Sequence, residues 1–300
     1  MATRVQAWLL VIKPRTLVAS VLPVLVGLAV VFFERGVLHW PAAVVTLVAA
    51  CLIQIGTNLS NDVFDYRRGA DTEERKGSPK PIQQGWLSER AVLVAGVAAL
   101  GAAFLLGIYL VWFAGPWIVL IGLASLLCGW LYTAGPFPLA YHGLGDVFVM
   151  VFFGVLAVCG TVFVQTGRSS ALALELSLPI GMLATAVLVA NHVRDIETDT
   201  KANKRTLVVR FGRRFGVWEY TGLVWGAYML LLLPWCVRQI SFPVLLPWLT
   251  LPLSWPRVRD IWRLQGRDLR LAVGQTARLE MVFGLLLVVG VCLARMWRAG

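Results

Sequence analysis

The chain has 300 residues, 58% hydrophobic and only 14% charged, with a mean hydropathy of +0.75. That is too little polar surface for a soluble domain of this size. The formal net charge of +11 comes from 27 Lys and Arg against 16 Asp and Glu, spread between apolar runs with no separate basic module, which argues against nucleic acid as a partner.

Nine apolar segments of roughly membrane length are expected, near 16–33, 40–58, 91–113, 116–133, 146–165, 171–191, 216–236, 240–255 and 279–296. Before the first, Val5 to Ile12 forms an apolar patch closed by Lys13-Pro14-Arg15, expected as an interfacial helix with Thr16 capping the helix that follows. The second segment runs without a breaker into Asn58-Leu-Ser-Asn-Asp-Val-Phe-Asp-Tyr-Arg-Arg-Gly-Ala-Asp71. Helical spacing puts Asn58, Asn61, Asp62 and Asp65 on one face, and Gly69 is expected to end the helix so that Asp71 comes from a loop. A polar, Pro/Gly-punctuated loop through Pro81 follows and is placed to cover a site.

The loop from Tyr132 to Asp146 holds no Lys or Arg and is rich in Gly, Pro and Tyr, so it is expected to pack on its neighbours. Asp146 in it is read as a helix-end cap or a snorkelling surface charge, and His142 and His192 as packing or hydrogen-bonding residues. The sixth segment delivers a second array, Asn191-His-Val-Arg-Asp-Ile-Glu-Thr-Asp199, where Asn191, Asp195 and Asp199 share a face. Glu197 lies about 200° from Asp195 at ~100° per residue and is the weaker ligand candidate. Lys201, Lys204, Arg205 and Arg210 crowd the same stretch. The eighth segment is the least regular, interrupted by Pro243, Pro247 and Pro252. All five cysteines fall in apolar segments without ligand spacing and are read as small buried hydrophobes.

The expected fold is therefore all-α: one polytopic membrane domain, residues 1–300, of about nine helices. The offset between the two arrays suggests two four-helix halves plus one helix. Short basic loops stay on the cytoplasmic side. Placing the N-terminus there puts 22 of the 27 Lys and Arg, and both acidic arrays, on that face of a cell membrane.

Carboxylates at the end of a membrane helix are costly, roughly 2.5–3.5 kcal/mol each at a helix centre, and mark function by default. Hard oxygen ligands without thiolates select Mg²⁺, suggesting a metal shared by the two arrays. Mg²⁺ beside Lys and Arg suits a diphosphate, and the bilayer suits its hydrocarbon tail. Intramembrane acids also mark transporters, but those would sit near the midplane in broken helices. The Asp-x-x-Asp-Gly-x-x-Ala-Arg pattern of one lipid phosphotransferase class is absent.

Asn61-Asp-Val-Phe-Asp65 with Asp71, and Asp195-Ile-Glu-Thr-Asp199, resemble the two aspartate-rich motifs of the UbiA superfamily of membrane prenyltransferases, as do Lys13-Pro-Arg-Thr-Leu17 and Tyr132-Thr-Ala-Gly-Pro136. Asp71 in place of an acid at Gly69 is similar to the branch that prenylates 1,4-dihydroxy-2-naphthoate in menaquinone biosynthesis, with 4-hydroxybenzoate the alternative acceptor. The resemblance implies a polyprenyl diphosphate donor, an aromatic quinone precursor as acceptor, and Mg²⁺ held by Asp62, Asp65, Asp195 and Asp199. It implies Asn58, Asn61, Asn191, Arg67 and Lys201 as substrate-binding residues. Arg68, Lys204 and Arg205 would stabilise the leaving group, Asp71 would orient or deprotonate the acceptor, and Tyr132 would line the site.

Overall fold

A computed structural model describes residues 3–69, 79–238 and 240–299, all helical or connecting segments. In chain order the helices are α1 (Arg4–Ile12), α2 (Pro14–Arg35), α3 (Trp40–Arg67), α4 (Glu89–Ala114), α5 (Trp117–Leu131), α6 (Gly145–Thr166), α7 (Ala171–Lys201), α8 (Leu207–Val237), α9 (Leu251–Arg263) and α10 (Leu269–Ala299).

Among the described residues, seven helices are long and apolar enough to cross a membrane: α2, α3, α4, α6, α7, α8 and α10. The fourth expected span is the 15-residue α5. The eighth is not one regular helix. Its prolines divide it into a 3-10 segment, Phe242–Thr250, and α9, whose polar face carries Arg257, Arg259, Asp260 and Arg263.

α1 starts at a capping box in which the Thr3 side chain accepts from Gln6 N–H and the Gln6 side chain accepts from Thr3 N–H. Its apolar face is not left to lipid. Ala7 and Val11 are buried against Leu59 and Val63 of α3, with Ile82, Leu87 and Val92 closing the cluster. The chain turns into α2 at Lys13, a non-glycine residue held at φ 55°. Pro14 supplies the first helical position, so the cap is Lys13 rather than Thr16, whose hydroxyl instead donates to the Lys13 carbonyl at 2.9 Å.

α3 has 28 residues and α7 has 31. At 1.5 Å per residue each spans more than 40 Å, against a hydrocarbon core of about 30 Å. Each therefore has surplus turns at its C-terminal end, and those turns carry the two acidic arrays. Gly69 follows α3 at φ 67°, the left-handed position that stops the helix where the sequence suggested.

The main core is built from α2, α6, α7, α8 and α10, with Tyr220, Tyr228 and Phe283 fully buried in it. α3 pairs with α4 beside this core. α6 carries a π-helical stretch, Met150–Leu156, where it crosses α7. There Gly154 and Gly181 bring two backbones together. Four of the five cysteines are partly buried as expected, but Cys236 near the end of α8 is exposed.

A Cβ placed on Gly154 would stand 2.8 Å from Gly181 Cα and 2.9 Å from the Ser177 carbonyl oxygen, both backbone atoms. Gly154→Ala is therefore expected to cost about 1–3 kcal/mol, read as a lower thermal midpoint in detergent. Gly101→Ala on α4, where nothing lies within 4 Å, should leave the midpoint unchanged or slightly raised.

Candidate active site

The end of α3 is organised around Asp62, buried to 2% exposure. Its Oδ1 accepts from Lys13 Nζ at 2.8 Å and from Lys80 Nζ at 2.6 Å, so the α1–α2 corner and the segment before α4 both converge on it. Its Oδ2 is buried with no hydrogen-bond partner among the described residues. Two ammonium groups on one oxygen offset the cost of a buried carboxylate and leave the other oxygen facing the site. Neither lysine was singled out in the sequence for this contact, because the pairing is tertiary.

Asn58 is spent on structure. Its amide donates to the Ile12 carbonyl at 2.9 Å and the Thr16 hydroxyl at 2.8 Å, tying α3 to the α1–α2 corner. Asn61 Oδ1 accepts from Thr133 at 2.7 Å, and Asp65 Oδ1 accepts from the Tyr141 hydroxyl at 2.9 Å. The loop between α5 and α6 thus packs on the acidic end of α3, as its lack of charge suggested. Arg68 joins it by donating to the Gly135 carbonyl at 2.6 Å while its guanidinium lies 5.1 Å from the Tyr141 ring centre. Arg67 turns away and pairs with Glu89 of α4 at 2.6 Å, half-exposed. Asp71 lies outside the described residues.

On α7, Asp195 and Asp199 are buried and Glu197 is exposed, in keeping with the helical face. Arg194 grips Asp195 with two bonds, Nε to Oδ1 at 2.7 Å and a second guanidinium nitrogen to Oδ2 at 2.6 Å. Lys204 Nζ stands 3.8 Å from Asp199 and 5.9 Å from the Tyr141 ring centre. Asn191 donates to the Val187 carbonyl of its own helix at 2.8 Å. Lys201 and Arg205 are exposed, and the Arg205 backbone N–H donates to the Tyr141 carbonyl at 3.0 Å.

Tyr141 is thus the bridge between the arrays, bonding Asp65 through its hydroxyl and meeting Arg68 and Lys204 across its ring. Among the described residues no three His, Cys, Asp or Glu side chains stand close enough to hold one ion. The donor set is nonetheless all oxygen, and Asp62 Oδ2 is a buried oxygen awaiting a partner, which suits a hard divalent cation. Tyr132 completes the floor, its phenol under the field of Asp146, Asp65 and Asp199 together.

From Tyr132 an apolar cavity of about 620 Å³ runs between α2, α3, α4, α5 and α6. Phe104, Ile118, Leu126, Phe148 and Phe152 line it, with Gln54 and Thr57 of α3 among its few polar groups. Phe148 and Phe152 stack with ring centres 5.6 Å apart. His142 stacks on Phe137 at 3.6 Å, a packing role as expected.

Comparison with known proteins follows this geometry. The family model described as the UbiA prenyltransferase family matches residues 20–273. The chain is 32% identical over 293 residues to 1,4-dihydroxy-2-naphthoate octaprenyltransferase of Bacillus subtilis, covering 94% of this chain and 91% of that one. It is 36% identical over 235 residues to the protein of that name from Mycobacterium tuberculosis, covering 77% and 80%. A UbiA homologue from Archaeoglobus fulgidus, solved bound to GPP and Mg²⁺, shares the fold with a TM-score of 0.65 at 16% identity, over 94% of this chain and 99% of that one.

The buried lysine pair gives a test of the site's electrostatics. Lys80→Met leaves Lys13 alone against Asp62 and is expected to destabilise the protein by about 1–3 kcal/mol, measured by thermal unfolding in detergent. Arg67→Met, which removes a half-exposed surface pair, should change the same midpoint by the equivalent of about 1 kcal/mol or less.

Proposed function

Because this chain belongs to the UbiA prenyltransferase family, we propose that it transfers a polyprenyl group from a polyprenyl diphosphate to 1,4-dihydroxy-2-naphthoate with loss of CO₂, a step of menaquinone biosynthesis. The observation that carries this is the junction at Tyr132, where the carboxylate-lined end of the two acidic arrays meets a hydrocarbon-lined cavity. A prenyl diphosphate has those two ends in that order. The names of the Bacillus subtilis and Mycobacterium tuberculosis relatives support the acceptor.

Asp62, Asp65, Asp195 and Asp199 would hold Mg²⁺, which when bound would neutralise diphosphate charge. Substrate oxygens would complete its coordination, since among the described residues no three His, Cys, Asp or Glu side chains group to hold one ion. The Archaeoglobus fulgidus homologue, solved bound to GPP and Mg²⁺, supports Mg²⁺ as the cation. Lys13, Lys80, Arg68 and Lys204 supply positive charge around the leaving group. Arg205 lies further out and Arg67 is engaged with Glu89, so their share is smaller.

The prenyl C1–O bond breaks with its electron pair leaving on the diphosphate. Aromatic faces at the cavity mouth, Phe148 and Tyr132, shield and attract the allylic cation. A ring carbon of the acceptor forms the new C–C bond, and the carboxylate leaves as CO₂, returning an electron pair to the ring. Apolar walls keep water from capturing the cation. The excess of Lys and Arg in the loops beside the acidic arrays supports a cytoplasmic location for this chemistry.

Purified protein given Mg²⁺, a prenyl diphosphate, and dihydroxynaphthoate in competition with 4-hydroxybenzoate should yield a prenylated naphthol lacking the carboxyl group, identified by mass. Prenylated hydroxybenzoate as the main product would overturn the acceptor assignment. Asp65→Asn and Asp195→Asn should each reduce turnover by about 100-fold or more, in protein that elutes as wild type on gel filtration. Arg67→Ala should stay within about threefold of wild type, as its exposed pairing implies. Near-normal turnover in either Asp variant would remove that residue from the metal set.

A further inference from the structure

Asp146 and His192 are buried polar side chains that the reaction above does not use. Asp146 stands in the first turn of α6 with 4% exposure, and His192 on α7 with 3%. His192 Nδ1 lies 3.4 Å from Asp146 Oδ1. None of Asp146 Oδ1, Asp146 Oδ2 or His192 Nδ1 has a hydrogen-bond partner among the described residues. His192 is buried as a packing residue would be, but a cap would bond first-turn amides, and the Asp146 carboxylate bonds none. Leaving buried polar groups unpaired costs about 1–3 kcal/mol each, more when charged. Such a cost is retained where a ligand supplies the partner.

The position of the pair identifies that ligand. Gly145, next to Asp146, lies so close to Tyr132 that an added Cβ would be 3.1 Å from its hydroxyl oxygen. Phe148, two residues further, lines the hydrocarbon cavity. The Asp146 carboxylate acts on the same Tyr132 phenol as Asp65 and Asp199. The pair therefore lies next to Tyr132, just behind the residues that line the tail cavity. Glu219 of α8 is a second acid close enough to Asp146 for the two to interact. Two side chains are too few for a structural metal, and among the described residues no third ligand joins them.

We propose that Asp146 and His192 form the hydroxyl-binding subsite for the aromatic acceptor. The Asp146 carboxylate accepts a hydrogen bond from a phenolic O–H, and His192 beside it fixes the carboxylate's orientation. That bond supplies the missing partner and raises electron density in the ring carbon that attacks. Asp146 would thus touch substrate, while His192 is a positioning residue. The assignment rests on the aromatic-acceptor reading above.

The test compares wild type, Asp146→Asn and His192→Gln, using dihydroxynaphthoate and the methyl ether of its 4-hydroxyl. Wild type should disfavour the ether by about 100-fold or more in kcat/KM, because a site built to bond a hydroxyl rejects the analogue lacking it. Asp146→Asn should raise the acceptor KM by about tenfold or more and shrink that discrimination, with the KM for prenyl diphosphate and the Mg²⁺ half-saturation within twofold of wild type. His192→Gln should show the same pattern more weakly, and serves alone if Asp146→Asn does not fold. A shifted Mg²⁺ requirement, or discrimination against the ether unchanged in the folded variants, overturns the subsite. No product from wild type overturns the acceptor reading, and the subsite with it.

Discussion

Everything at the acidic end of the bundle depends on how a buried carboxylate is kept charged beside a membrane. Asp62 is almost fully enclosed, and the two lysines on its Oδ1 come from opposite directions in sequence. One belongs to the corner between α1 and α2, the other to the segment entering α4. Their convergence fixes both segments onto α3, and the positive φ of Lys13 is a local backbone cost that the ion pair offsets. Because both cations use the same oxygen, the second is left facing the site. Charge balance and site architecture are thus one arrangement: the contacts that make the carboxylate tolerable also leave it a bonding position.

The cavity answers a different requirement. A substrate whose tail is insoluble in water and whose head is insoluble in lipid must be met where the two media meet. Surplus length in α3 and α7 carries the polar groups beyond the hydrocarbon core while the same helices line or support the apolar space below. The short α5 contributes a wall on one side of that space. Specificity for a long apolar group can then come from shape and exclusion of water, with polar recognition confined to the end where the chemistry occurs.

The helices and the two acidic faces were legible in sequence because both signals are local. Apolar runs of membrane length and Asn or Asp every three or four residues need no knowledge of neighbours. The exposed Glu197 between buried Asp195 and Asp199 followed from helical geometry alone. What sequence did not show is what meets those faces. Lys13 lies 49 residues from Asp62, Tyr141 lies 76 from Asp65, and Asp146 comes to His192 from a different helix. Asn58 had the right type and spacing for substrate binding, yet its amide holds a helix corner. Arg67 and Arg68 are adjacent and alike, and only the end of α3 decides that one faces Glu89 and the other Tyr141. The eighth segment failed as a regular span for a reason visible in it, since each proline removes a backbone donor.

The two arrays also differ in how their charge is compensated, despite their similar spacing. On α3 the cations arrive from other segments, so neutralising Asp62 requires tertiary structure already in place. On α7 Arg194 and Asp195 are neighbours, and the helix brings a nearly neutral pair with it. A helix carrying its own counter-charge enters a membrane at lower cost than one whose partner is elsewhere. α7 packs in the main core with α8, where most of its length is buried. The α3 end is completed when α1, the α5–α6 loop and the segment before α4 close over it. Those same three pieces contribute Lys13, Tyr141 and Lys80 to the site. The α3 half of the site is therefore assembled from separate segments, whereas the α7 half carries its own counter-charge.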